Sequence, residues 1–390
     1  MALDADIATR VAAYILLDQQ PKRYRHWQAL ARSPEHGMAL LQRTDAALHL
    51  NAEMIAACRD WPNGRHAAEA LAQWQHSCDW LAQPGNGIWF DADSDTQLSW
   101  PPGFARCAER ERPPLLFYRG DDNLMGLPQV AIVGSRAASA AGLRWTTDVA
   151  GALAQAGIAI TSGLASGIDG AAHQGALAVG GKTVAVLGAG IDRMYPPQHR
   201  GLAETLVNDG GLIVSEFAPN TPAKKFHFPR RNAVIAALSL GVLVVEAGPN
   251  SGSMSTARVA GNLGRDIWAV PGPLSQLQSR GCHQLIRDNK AVLVETSAHV
   301  LSDVLPRITQ WFGLELQAPS RALAANRDGR REPSAAAATL RDSLDWQGHS
   351  IDSLAQSQAL PMATLLALLG ELEVMGWIES VPGGYQRIAP

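Results

Sequence analysis

Four short stretches of the chain hold residue types suited to binding anions. In Val130 to Gly142, "VAIVGSRAASAAG", four apolar residues lead into Gly134, Ser135 and Arg136. Small residues after a strand let backbone N–H groups approach an anion, and the helix that follows adds its positive end. Arg136 supplies a planar fork that fits a phosphate. In Thr161 to His173, "TSGLASGIDGAAH", Gly163 and Gly167 free the backbone while Ser162 and Ser166 offer hydroxyls. That composition makes a second anion-binding concavity. In Ala218 to Asn232, "APNTPAKKFHFPRRN", Lys224, Lys225, Arg230 and Arg231 are interleaved with Phe226, His227 and Phe228. Cations among aromatics suit a single nucleic-acid strand, with phosphates on the cations and bases on the rings. The fourth, "GPNSGSMSTA" from Gly248 to Ala257, is a Gly/Ser loop entering a helix.

Each stretch also has a plainer reading. A Gly/Ser loop after a strand is often a tight turn, and Arg230 and Arg231 could brace the sheet edge. Asp169 and His173 are four residues apart on one helix face, as an acid–base pair or as parts of a buried structural network. Glu246 ends a strand, where a catalytic carboxylate or a loop brace could stand. No nucleophile–base set is visible, so no catalytic residue, metal ligand or cofactor is assigned. A dinucleotide site needs G-x-G-x-x-G and an acid at the end of the second strand. Here that strand ends "ITSG". The phosphates of an extended chain fit the loops better, because they need several anion sites and no ribose acid.

The elements that position these loops read clearly. "LLFYRG", "QVAIVG", "GIAITSG", "KTVAVLG", "GLIVSE", "GVLVVEA" and "DIWAVPG" are short apolar runs rich in β-branched residues. Helical stretches such as "RWTTDVAGALAQA", "AETLVND", "RNAVIAALSL" and "STARVAGNL" lie between them. The alternation predicts an α/β domain from about 100 to 310, with a doubly wound, Rossmann-like parallel sheet. Ligands of such sheets bind beyond the carboxyl ends of the strands, which gathers the four loops at one edge. Residues 1 to about 95 read as a helical domain dense in tryptophan, with Trp27, Trp61, Trp74, Trp80 and Trp89 as core anchors or stacking platforms. The Arg-, Ala- and Pro-rich stretch at about 317–335 reads as a linker. From 336 to 390, three helices and a hairpin form the winged-helix pattern.

Composition narrows the class. With 390 residues, 46% hydrophobic and 18% charged, the chain is of globular type, and its net charge of −3 requires any nucleic-acid site to be a local concentration of cations. Cys58, Cys78, Cys107 and Cys282 make no paired motif, which suits the reducing cytoplasm. No signal peptide or apolar run long enough for a membrane span is expected.

The stretches "VAIVGSR", "SGLASGIDGAAH", "GKTVAVLGAGIDRMYP", "FHFPRRN", "VVEAGPNSGSMSTA", "GRDIWAVPG" and "QLIRD" occur in the order seen in the DNA-processing protein A (DprA/Smf) family, and the chain resembles it over about 110–300. The resemblance implies a non-enzymatic, dimeric protein that binds single-stranded DNA, protects it during natural transformation, loads the RecA recombinase and helps it past single-strand-binding protein. It also implies a SAM-like fold for the N-terminal helical domain. The DNA contacts it implies are Ser135 and Arg136, Ser162 through Gly167, and Lys225 with Phe228. Together with the loop composition above, the candidate DNA-binding set is Gly134, Ser135, Arg136, Ser162, Gly163, Ser166, Gly167, Lys224, Lys225, Phe228, Arg230, Arg231 and Asn232, and the dimer contact implied is Gln284, Leu285, Ile286 and Leu293. Where the family pattern reads R-N-R, this chain has Ala233 after Asn232. The enzyme alternative is a nucleotide N-glycoside phosphoribohydrolase on a related sheet, whose P-G-G-x-G-T signature is replaced here by "VPGPLSQ". A third class, a sequence-specific repressor, rests on the winged helix alone.

Overall fold

The computed structural model describes residues 67–90, 115–316, 333–344, 349–358, 360–375, 377–381 and 384–387, with Val11, Phe104 and Pro113. The proposed N-terminal helices before residue 67 and most of the linker lie outside the described residues, as do Trp27 and Trp61. The chain divides into two compact units, Met1–Ala318 and Pro319–Pro390.

The first unit is built on a nine-stranded sheet in the order β1-β2-β6-β5-β4-β3-β7-β8-β9. Its strands are β1 (Asn86–Phe90), β2 (Leu115–Gly120), β3 (Gln129–Gly134), β4 (Ala159–Ser162), β5 (Thr183–Leu187), β6 (Leu212–Ser215), β7 (Gly241–Val245), β8 (Asp266–Ala269) and β9 (Val292–Leu293). From β6 to β9 all pairings are parallel, while β1 and β2 run antiparallel at one edge. The chain proceeds from β3 outward through β4, β5 and β6, then returns to lay β7 against the other side of β3. The strand order therefore reverses between β3 and β7, and the crevice beyond their carboxyl ends is where such sheets take ligands.

Among the described residues the helices of this unit are α1 (Ala67–Leu81), α2 (Ala140–Gln155), α3 (Ile168–Leu177), α4 (Arg200–Asn208), α5 (His227–Leu238), α6 (Gly252–Asn262), α7 (Arg280–Arg287) and α8 (Ser297–Phe312). Strand alternation divides the core. Ala131, Val133, Val242 and Val244 point into one cluster with residues of α5, α6 and α7. Val130, Ile132, Leu243 and Val245 point into another with residues of α2, α3 and α8. Sheets covered on both faces select continuous apolar strands, and these runs supply them.

Two features depart from the sequence expectation. Asn86–Phe90 falls in the span read as helical, yet it is the edge strand of the sheet, and Trp89 stacks on Tyr118 of β2 at 4.1 Å. Trp80 is buried edge-on against Phe117 at 6.1 Å. These two tryptophans are core anchors. Leu285, expected at a dimer contact, is 5% exposed and packs in the molecule's own core beside Cys282. Its position on the inner face of α7 leaves no surface for a partner. Gln284 and Ile286 are half-buried, and Leu293 is 43% exposed on the edge strand β9.

The second unit contains α9 (Ala335–Ser343), α10 (Ile351–Gln358), α11 (Met362–Val374) and the antiparallel pair β10 (Ile378–Val381) and β11 (Gly384–Arg387). Ser334 caps α9 by accepting the amide of Ala337 at 3.3 Å, so this unit becomes regular just inside the span read as linker. Leu340, Leu365, Leu369 and Trp377 form its core. Among the described residues no helix is long and apolar enough to cross a membrane.

Candidate nucleic-acid interface

A crevice of about 530 Å³ opens at the switch point and is lined by Ser135, Arg136, Asp169, Phe228, Arg231 and Ser253, among others. All four anion-type stretches contribute to its lining. Gly134 ends β3 where no side chain fits: a Cβ would lie 1.8 Å from the Val245 carbonyl oxygen and 2.6 Å from Ile168 Cγ1. Gly167 precedes α3 at φ +79°, tight against the carbonyl oxygen of Ser135. On the far wall Ser251 precedes α6, and its hydroxyl bonds Ser253 Oγ at 3.0 Å instead of capping the helix. The first turn of α6 borders the crevice through Gly252 and Ser253, and its Met254 amide donates to the Ser251 carbonyl at 3.2 Å.

The cations fall into two groups. Arg230 binds both carboxylate oxygens of Glu216, at 2.5 and 3.2 Å, and covers the Phe217 ring at 4.8 Å. Arg231 is buried and pairs with buried Asp169 at 3.5 Å. Both arginines thus have a carboxylate partner inside the molecule, and Arg231 also reaches the crevice wall. By contrast, Arg136, Lys224 and Lys225 are exposed and have no carboxylate partner among the described residues. Arg136 stands over the Phe228 ring at 5.4 Å, and Lys224 over the Phe226 ring at 5.7 Å.

The remaining candidates are spread between wall and interior. Ser166 and Gly167 are half-buried near the crevice. Ser162 departs from expectation: it is fully buried and its hydroxyl donates to the Ile132 carbonyl at 2.6 Å, turned into the sheet and away from any ligand. Gly163 is buried beneath Arg231, whose Nη1 would lie 1.0 Å from a Cβ there. Asn232 donates to the Gly252 carbonyl at 3.2 Å and ties α5 to the start of α6. Sequence reasoning missed Tyr195, in the loop after β5, which is 46% exposed with its ring 5.8 Å from that of Phe228. The signal was a lone ring in "GIDRMYPP", with no cation beside it to draw attention except Arg193.

The groups weighed as catalytic have structural partners. Asp169 accepts the amides of Gly163 and Ala165 at 3.2 and 3.4 Å besides pairing with Arg231. Burial pushes its carboxyl up, against the pull of the Arg231 guanidinium and those amides. Glu246 accepts the Ser139 amide at 2.8 Å and the Ser139 hydroxyl, which braces the loop before α2. His173 Nδ1 bonds Thr183 Oγ1 at 2.7 Å.

His173 is also fully buried, and desolvation, helped by the nearby charges of His199 and Arg231, pushes its pKa down to about 3. The folded state therefore keeps His173 neutral while the unfolded chain takes up a proton below about pH 6.5. The unfolded state then binds more protons, so stability present above pH 6.5 is lost as pH falls toward 3. The expected slope is about 1.4 kcal/mol per pH unit inside that window. Urea melts between pH 7.5 and 5 of wild type and His173→Gln measure it, and the variant should show a shallower loss.

A family model for DNA recombination-mediator protein A matches residues 94–305, and one for the DprA winged-helix domain matches 324–384. The chain belongs to the DNA recombination-mediator protein A family. Among DprA relatives, Protein Smf of Escherichia coli is 38% identical over 314 residues, 80% of each chain. DprA of Streptococcus pneumoniae is 45% identical over 193 residues, half of this chain and 67% of its own. The X-ray structure of the pneumococcal DprA superposes with a TM-score of 0.54 at 33% identity, over 72% of this chain and 96% of that one. The Helicobacter pylori DprA structure, which concerns its single-stranded DNA binding mode, gives a TM-score of 0.50 at 28% identity over 57% and 96%. The two family models span β2 to β9 and most of the second unit.

Proposed function

We propose that this protein binds single-stranded DNA along the carboxyl edge of its sheet and acts, without enzymatic chemistry of its own, as a recombination mediator in transformation. The observation that carries this reading is the Arg136 guanidinium over the Phe228 ring at 5.4 Å, both bordering the switch-point crevice. A cation beside a ring offers a phosphate seat and a base platform one step apart. The exposed Lys224 and Lys225 extend the positive edge, and the DNA binding described for the Helicobacter pylori relative supports the assignment. The structural partners of Asp169, His173 and Glu246 speak against a phosphoribohydrolase.

On this reading the partners are single-stranded DNA, the RecA recombinase and single-strand-binding protein, met in the cytoplasm by a homodimer. The self-contact would use Gln284, Ile286 and Leu293 with the exposed Val292, and not Leu285. The winged helix suits protein contact better than DNA. In it Asp342, Asp345, Asp352, Glu371, Glu373 and Glu379 outnumber Arg341 and Arg387. Both arginines approach Asp342, at 2.8 and 3.8 Å, and α11 has no cation. A helix that reads DNA carries cations toward the phosphates.

The test is a salt titration of oligonucleotide binding. The logarithm of affinity should fall linearly with log salt, with a slope of about −0.7 per neutralised phosphate. Arg136→Ala should weaken all single-stranded sequences alike and make the slope shallower by about 0.7. A folded Arg136→Ala protein with unchanged affinity and slope would falsify the assignment.

A further inference from the structure

We infer that Tyr195 is a second base platform, and that the bound strand runs from the switch-point crevice over Phe228 onto the loop after β5. This rests on the single-stranded DNA reading above. Phe228 already lies toward that loop: Gly188, the residue after β5, has no side chain, and a Cβ there would lie 2.9 Å from the Phe228 ring. Beyond Phe228 comes Tyr195, with ring centroids 5.8 Å apart and planes inclined at 52°. That separation is direct ring contact, within the usual range of about 4.5–7 Å, so no base fits between the two rings. Each ring instead offers its own surface. Arg136, Phe228 and Tyr195 thus form one continuous row of cation, ring and ring from the end of β3 to the loop after β5.

The loop that carries Tyr195 is held in place. The Gly190 amide donates to the Thr221 carbonyl at 2.8 Å, and the Arg193 amide to the Gly190 carbonyl at 2.7 Å. Asp192 accepts the Asn220 amide at 2.7 Å and bonds His76 Nε2 at 2.9 Å. These contacts occupy the loop's one carboxylate, the group that would repel a phosphate backbone, and tie it to α1 and to the lysine-bearing segment. A tyrosine 46% exposed on so fixed a loop loses little freedom when a base stacks on it.

The experiment uses the full-length chain and a ladder of oligothymidylates of increasing length. Tyr195→Phe should bind within about two-fold of wild type, because the ring carries the contact. Tyr195→Ala and Tyr195→Leu should lose about five-fold or more on long strands and almost nothing on strands too short to pass Phe228. The loss should multiply with that of Phe228→Ala. Photocrosslinking of iododeoxyuridine-substituted strands should label Tyr195 as well as Phe228. If Tyr195→Leu binds long strands as wild type does, or if the double variant is no weaker than Phe228→Ala, the tyrosine merely props its neighbour and the inference fails. Labelling of Phe228 without Tyr195 overturns it equally. A wild-type chain that binds no single-stranded DNA would instead sink the functional reading on which it rests.

Discussion

Asp169→Ala should destabilise the protein by about 3–5 kcal/mol, because it leaves a buried guanidinium without its counter-charge. The Asp169 and Arg231 side chains are each 7% exposed, and they pair at 3.5 Å between α3 and α5. Arg231 Nε already has no hydrogen-bond partner, so the remaining positive charge would have little to compensate it. The amides of Gly163 and Ala165 would lose their acceptor as well. Equilibrium urea denaturation reads the loss. Asp169→Leu combined with Arg231→Met should recover most of it, since an apolar pair of similar volume removes both desolvated charges. A single-variant loss below about 1 kcal/mol would mean that water reaches the pair and that it does not organise the loops after β4.

Gly134→Ala is the second large effect, expected at about 3 kcal/mol or more, at the upper end of overpacking costs. The added carbon would lie 1.8 Å from the Val245 carbonyl oxygen. That oxygen belongs to backbone paired with β3, so relief requires β3 and β7 to part at the crevice. Gly248 is the matched control. It lines the same crevice, but a Cβ there meets nothing within 4 Å. Gly248→Ala should stay within about 0.5 kcal/mol of wild type. Thermal melts of the two variants side by side check the contrast, and equal midpoints would contradict it.

Much of the sheet was legible because burial on both faces demands uninterrupted β-branched runs, and "QVAIVG" or "GVLVVEA" can be little else. What escaped had weaker local signals. The small residues of α3 show no clear period, since the helix packs so close to α2 that a Cβ on Gly175 would lie 2.3 Å from the Thr147 carbonyl oxygen. α5 begins at His227, earlier than "RNAVIAALSL" suggests, because Pro229 is tolerated in a first turn. That early start places Phe228 and Arg230 on a helix instead of a loop. At the crevice, loop chemistry singled out Arg136 and Phe228, which the structure brings together, but could not sort the arginines. Arg231 meets Asp169 across 62 residues of chain, a pairing with no local trace, and it turns a candidate ligand contact into an internal brace. Ser162 was misplaced for a related reason: a hydroxyl at a strand end reads the same whether it faces solvent or the neighbouring strand.

The brace between Glu246 and Ser139 stands where sheets of this architecture commonly receive a pyrophosphate. In dinucleotide-binding sheets, the helix after the first strand of the switch point directs its positive end at a pyrophosphate. Here that helix is α2, and the carboxylate of Glu246, from the end of β7 at φ +51°, already occupies its entrance. A Cβ on Gly142, in the first turn of α2, would lie 2.5 Å from the same carboxylate. The protein thus carries its own anion in the seat where a dinucleotide would place one. An anion that approaches the entrance of α2 meets this carboxylate first, while the exposed Arg136 stands on the loop just before it.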